Sequence, residues 1–142
     1  MASEAELLAL ASACEKANGP DRELDCGIAV GLHGGHIRWR QAVGTMESYP
    51  VRDYTSSAHV QGYGCDHISA YTASLDAAMS LVPEGLRFYV DNGTVDSTSH
   101  ACAFAGRDGG VTGGCKIAAT PALALCAAAL RARAATMGGS DD

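Results

Sequence analysis

The residue types best suited to chemistry crowd into one stretch of this 142-residue chain. His33-Gly34-Gly35-His36 is followed by His59 and then by Cys65-Asp66-His67, so four of the five histidines and one cysteine fall within 35 residues. Zinc takes imidazole and thiolate ligands tetrahedrally, and ligands paired one to four residues apart can close around one ion. His33, His36, Cys65 and His67 are therefore the candidate metal ligands. Zinc there would order a glycine-rich segment with few aliphatic residues of its own. The spacing is not that of a paired-cysteine zinc motif, and the competing reading is a solvated polar loop with no cofactor. Cys65 as a nucleophile, with His59 or His67 as its base, is a further alternative; the sequence displays no third, orienting group for it.

Arg38-Trp39-Arg40 lies in the same stretch. On a strand the two arginines share one face and the tryptophan takes the other. Paired guanidinium groups suit a phosphate or carboxylate, and tryptophan can stack on a base or anchor a partner protein. Tyr49, Tyr54, Tyr63 and Tyr71 lie in or at the end of this segment, which gives it the composition of a binding surface. Arg38, Trp39, Arg40, Tyr54, Tyr63 and His59 are the candidate ligand- or partner-binding residues. The competing reading is an edge strand with its arginines reaching for solvent and Trp39 in the core. Elsewhere, Gly109 to Gly114 carries no P-loop lysine and precedes a strand, and no nucleophile-elbow serine is present. Asp25 and Asp76 read as caps or loop-fixing hydrogen-bond partners, not as an acid–base pair.

Composition bounds the rest. Alanine supplies 26 residues, whereas Leu, Ile, Val and Phe together number 25, a small complement for a globular chain. Low apolar content brings disorder only together with high net charge, and −6 is modest. One domain over residues 1–136, with a disordered acidic tail at 137–142, is the expectation. Ten basic residues without a basic run lack the electrostatic footprint of a nucleic-acid binder. No apolar run has the length of a membrane span. Glu4 and Glu6 stand where a signal peptide carries positive charge, so a cytoplasmic location is expected. The six cysteines then read as free thiols.

The elements that must position these residues follow from periodicity. Ser3 and Glu6 form a capping-box pattern before Leu7, Leu10, Ala11 and Cys14. After Asn18-Gly19, Pro20 suits the first turn of a second helix with Leu24, Ile28 and Leu32 buried and an exit at Gly31. Residues 31–70 read as a long insertion carrying a strand or hairpin around Ile37 to Val43. Thr72 or Ser74 caps a third helix with Leu75, Ala78, Met79 and Val82 on its apolar face. Strands are expected at Leu86 to Asp91, Ser99 to Ala105 and Cys115 to Ala118, with a turn at Asn92-Gly93 and a flexible connection from Gly106 to Gly114. Thr120 and Pro121 open a last helix with the stripe Leu123, Cys126, Ala127, Leu130 and Ala134. The fold class is α+β: a small antiparallel sheet of three or more strands packed against about four helices, α/β/α sandwich-like, with a long insertion at about 31–70.

Three of these segments, in this order and spacing, resemble the phage ABA-sandwich domain family of small phage and prophage proteins. They are Arg22-Glu23-Leu24-Asp25 with Ile28-Ala29-Val30-Gly31-Leu32, Tyr71-Thr72-Ala73-Ser74-Leu75-Asp76-Ala77-Ala78, and Ala119 to Leu130. The resemblance implies an antiparallel sheet between helices, a phage-associated origin, and no catalytic residues. It covers about half the chain and leaves the insertion without a counterpart. The expectation is a non-catalytic phage- or prophage-derived accessory protein in the host bacterial cytoplasm. It would bind a host protein or a small anionic ligand, such as a nucleotide immune signal, in a counter-defence role, without nucleic acid or membrane and with homo-oligomerisation open. The alternatives are a zinc-stabilised interaction module and a small cysteine/histidine enzyme.

Overall fold

The computed structural model describes residues 2–55, 63–91, 99–105 and 110–138, without the side chains of 54–55, 63–66, 91, 99–105, 110–117 and 137–138. In chain order the elements are α1 (Glu4–Lys16), α2 (Arg22–His33), β1 (His36–Gln41), β2 (Ser48–Thr55), β3 (Tyr63–His67), α3 (Leu75–Met79), β4 (Arg87–Asp91), β5 (Ser99–Ala105), β6 (Gly110–Ala118) and α4 (Pro121–Gly138). The class is α+β. Two antiparallel meanders, β1-β2-β3 and β4-β5-β6, form separate three-stranded sheets.

Local chemistry explains the helix ends. Ser3 accepts from the Glu6 backbone while the Glu6 carboxylate accepts from the Ser3 backbone, so two of the helix's unpaired donors are satisfied reciprocally. At α2 the cap is Asp21, which accepts from the Glu23 and Leu24 amides. Pro20 therefore stands before the cap and not in the first turn. The helix runs past Gly31 to His33, because Gly31 is a packing residue: a Cβ there would crowd Leu10 of α1 and Ala2. Gly34, at φ 76°, ends it, as a left-handed residue does where side chains are disfavoured. Ser74 caps α3 by accepting from Ala77, and Thr120 caps α4 by accepting from Leu123.

The core is built around α4. Ala122 to Leu130 are all buried, as are Ala132 and Ala134, so the expected stripe is in fact an entire buried cylinder. A helix apolar on every side needs neighbours all round, and α4 has them in α1, α3 and the β4-β5-β6 sheet. Alanine lets those neighbours approach closely. Arg131 ties α4 to α1 through Glu15 (2.9 Å to each carboxylate oxygen) and Ser12, and Arg133 donates to the Leu81 carbonyl at 2.6 Å. The expected apolar face of α3 is corrected: Ala78 and Leu81 are buried, whereas Leu75 and Met79 are 40% and 41% exposed. A helix this short needs only one small residue beneath it. At the C-terminus α4 extends through Met137 and Gly138, into the segment expected to be disordered; residues 139–142 and the Asn92-Gly93 turn lie outside the described residues.

The segment read as an insertion carrying a strand or hairpin holds, among its described residues, a three-stranded antiparallel meander with ladders between β1 and β2 and between β2 and β3. Pro50, on its central strand, is tolerated because β3 pairing begins only at Val51; the missing amide falls where β2 has one neighbour. The sheet is seated on α2. Arg52 donates to the carbonyls of His33 and Gly34 (3.3 and 3.2 Å), and a Cβ at Gly35 would collide with the Asp53 carbonyl. The β6 strand is also longer than expected and takes in Gly110 to Gly114.

Candidate functional site

The three motif segments meet at one buried junction. Asp25 is 1% exposed. Its Oδ1 accepts from the Thr72 amide and hydroxyl, both at 2.8 Å, and its Oδ2 accepts from Arg22 Nη1 at 2.8 Å. Thr72 in turn accepts from the Asp21 amide, Arg22 Nη2 reaches the Ile68 carbonyl at 2.9 Å, and Cys126 Sγ of α4 donates to the Tyr71 carbonyl at 3.2 Å. Every polar group at this point is used, so the junction is a pin that fixes the chain between β3 and α3 and leaves nothing to react. Asp25 is a loop-fixing partner, and Asp76 lies in the first turn of α3 behind its Ser74 cap.

The candidate binding residues lie on the β1-β2-β3 sheet, and register sorts them by face. On one face the rows are His36–Asp53–Cys65, Arg38–Val51–His67 and Arg40–Tyr49; Thr55 and Tyr63 continue it. On the other face are Ile37 with Arg52, Trp39 with Pro50, and Tyr54 with Gly64. Arg38 does not await a ligand: its Nε and Nη2 donate to the two carboxylate oxygens of Asp53 at 2.7 and 3.0 Å. The hydrogen bond from Arg38 holds the Asp53 carboxyl below the usual carboxylate range. Asp53 is the partner that sequence reasoning missed, since 15 positions separate the pair and only strand register joins them. Tyr49 stacks on His67, with ring centroids 5.9 Å apart.

Trp39 is 51% exposed and is not the core residue of the competing reading. Beyond it, where β1 turns into β2, Val43 and Met46 are 101% and 90% exposed. Two large apolar side chains in a turn were the overlooked signal. They line an open hollow with Gln41, Ala42, Gly44 and Thr45. Over the whole sheet, residues 36–67, three arginines are matched by Glu47, Asp53 and Asp66, so the lobe carries no net formal charge on an acidic chain.

The proposed metal set is spread over α2, β1 and β3. His33 is on the last turn of α2, His36 and His67 are exposed on opposite edge strands, and Asp53 between them is held by Arg38. Among the described residues, no group of three or more His, Cys, Asp or Glu is placed to hold a metal ion. The side chains of Tyr54, Tyr63 and Cys65, and the whole of His59, lie outside the described residues. The cysteines with described side chains are free and buried: Cys14, Cys26 and Cys126. A hydrogen bond to Cys14, and then burial, pushes the Cys126 thiol well up from its ordinary value; burial raises that of Cys26. Such thiols are poor nucleophiles.

No helix among the described residues is long and apolar enough to cross a membrane. No family model, curated protein or solved structure matches this chain.

Proposed function

We propose that the chain is a non-catalytic binding protein whose β1-β2-β3 sheet is the contact surface for a partly apolar face of a partner protein. The observation that carries this reading is the exposure of Trp39 on an edge strand, continued by Val43 and Met46 in the adjoining turn, with Arg38 and Arg40 on the strand's other face. Tryptophan and arginine are the residues most enriched where binding energy concentrates. Solvated tryptophan, valine and methionine in one small sheet gain free energy only when a surface covers them. A protein is favoured over a small molecule because the hollow at the hairpin is open, whereas small-molecule sites enclose most of their ligand. The resemblance to phage ABA-sandwich proteins supports a phage or prophage origin, and with it a host protein as partner in the bacterial cytoplasm.

The test is native mass spectrometry of the full chain recovered gently from its own cellular setting, beside the variant Trp39→Ala/Arg40→Ala. A bound protein present with the wild type and missing with the variant supports the reading. A bound protein retained by the variant places the surface elsewhere, and a released small anion in place of a protein favours sequestration of a ligand.

A further inference from the structure

The outer edge of β1 has the main-chain pattern of a site for one more strand. Ala42 donates to the Glu47 carbonyl at 2.9 Å, and this pair continues the β1–β2 register, in which His36 stands opposite Asp53 and Arg40 opposite Tyr49. Hydrogen-bonded and non-bonded pairs alternate along an antiparallel ladder, so His36, Arg38, Arg40 and Ala42 direct their amides and carbonyls to β2. Ile37, Trp39 and Gln41 therefore direct theirs away from it. Pro50 fits this phase, since it stands opposite Trp39, where the ladder calls for no amide from β2. β1 is an outer strand of its sheet, and among the described residues these outward groups have no hydrogen-bond partner. The strand pairs through six residues without a register shift. Neither proline nor bulge blunts it, devices by which exposed edges are commonly protected.

We infer that the β1 edge receives an extended segment of the partner protein as a fourth strand, with an apolar residue of that segment beside Trp39 and an acidic one beside Arg40. This rests on the β1-β2-β3 sheet being the contact surface, and adds the form in which the partner meets it. Outward main-chain groups at every second residue match an extended chain, which pairs with them directly; a helix has used its own amides and carbonyls internally. Side chains of the added strand alternate between the two faces of the sheet. On one face Ile37 packs against the core and Trp39 is 51% exposed, so an apolar neighbour would extend a row that begins in the core. On the other face Arg38 is held by Asp53, whereas Arg40 is exposed and has no hydrogen bond or ion pair among the described residues. Opposite charges directly across a ladder stabilise it, and like charges destabilise it. The same rule disfavours a second copy of β1 as the occupant: two-fold antiparallel pairing centred on Arg38, Trp39 or Arg40 sets an arginine opposite an arginine.

The experiment selects random linear peptides on the full wild-type chain, synthesises an enriched one, and reads amide hydrogen exchange by NMR. Enriched peptides should place an acid next to a β-branched or aromatic residue, and selection on Arg40→Glu should replace that acid by lysine or arginine. In the chain alone, the amides of Ile37, Trp39 and Gln41 should exchange faster than those of Arg38 and Arg40. Peptide at about ten times its dissociation constant should slow those three about tenfold, by mass action. Methylating alternate peptide amides should abolish binding in one phase and spare it in the other, a readout that leaves the protein's own folding untouched. A peptide that Trp39→Ala weakens, but that leaves the three amides unprotected or tolerates methylation in both phases, overturns strand addition and leaves the contact surface standing. A peptide indifferent to both Trp39→Ala and Arg40→Glu counts against the two readings together. Selection without any enriched binder overturns strand addition, and the native complex then decides the contact surface separately. Self-association that protects the same three amides makes a second copy the occupant and overturns the partner segment.

Discussion

Asp25 is the residue on which most of the buried polar structure depends. Its replacement by alanine leaves the Thr72 amide and hydroxyl without their acceptor and Arg22 without its carboxylate. Removing one member of a buried charged network costs about 3–5 kcal/mol, and urea denaturation of Asp25→Ala should read a loss of that order. Thr72→Val should cost less, about 1–3 kcal/mol, the range for orphaning a buried neutral group. Asp53 is the contrasting case, because its partner lies in solvent-accessible territory. Its carboxyl pKa is depressed in the folded state by Arg38, so its contribution to stability is present above the unfolded aspartate value and is lost as pH falls through the folded one. An NMR titration should place the Asp53 midpoint below the ordinary 3.8, and Arg38→Ala should return it upward; an unmoved midpoint would show the pair to be open in solution. The thiols give a third reading at this scale. Cys14, Cys26 and Cys126 should resist alkylation in the native protein and react on unfolding.

Among the elements, α4 carries the strongest expectation. Leu130 is fully buried, so Leu130→Ala should destabilise by about 2–5 kcal/mol. Enlarging an alanine on any side of the helix should also be penalised. Ala124, Ala127 and Ala129, which span more than half the helix circumference, are each fully buried, and an added leucine side chain at any one of them should cost about 1–3 kcal/mol through overpacking. An amphipathic helix would tolerate at least one of these three changes, so a set of thermal melts distinguishes the two descriptions. The α1–α2 contact is equally close: a Cβ at Gly27 would approach Leu10 to 3.0 Å, which is why glycine recurs four residues later at Gly31 inside a regular helix.

At the scale of the whole molecule, the β1-β2-β3 sheet is a lobe attached chiefly through α2. Replacing residues 36–67 by a short Gly/Ser linker should therefore preserve far-ultraviolet helical signal and cooperative unfolding, at a lower midpoint because Arg52 no longer caps the carbonyls at the end of α2. Loss of cooperativity would instead make the lobe part of the core. The β4-β5-β6 sheet offers no such separability, since α4 packs directly on it.

The amino-acid sequence by itself determined the features whose causes are local. Ser3 with Glu6, and Thr120 with Pro121, announce helix starts because a cap bonds amides two or three residues away. Alternation in Leu86 to Asp91 announces a strand because the pleat has a period of two. The alanine run of α4 announced a helix, but not that all its sides would be covered, since composition alone does not count neighbours. Only the tertiary structure decided the rest. Leu75 and Met79 are left exposed because the core takes Ala78 of α3 and, just past the helix, Leu81. Gly31 is helical because Leu10 fills the space a side chain would need, and Thr72 passes over a cap to serve Asp25, 47 residues away. Arg38 is tied to Asp53, and Cys102 is set opposite Cys115, by strand register, which turns on the summed burial of whole strands. A single sequence carries that information only diffusely, because a one-residue slip would exchange every face at once.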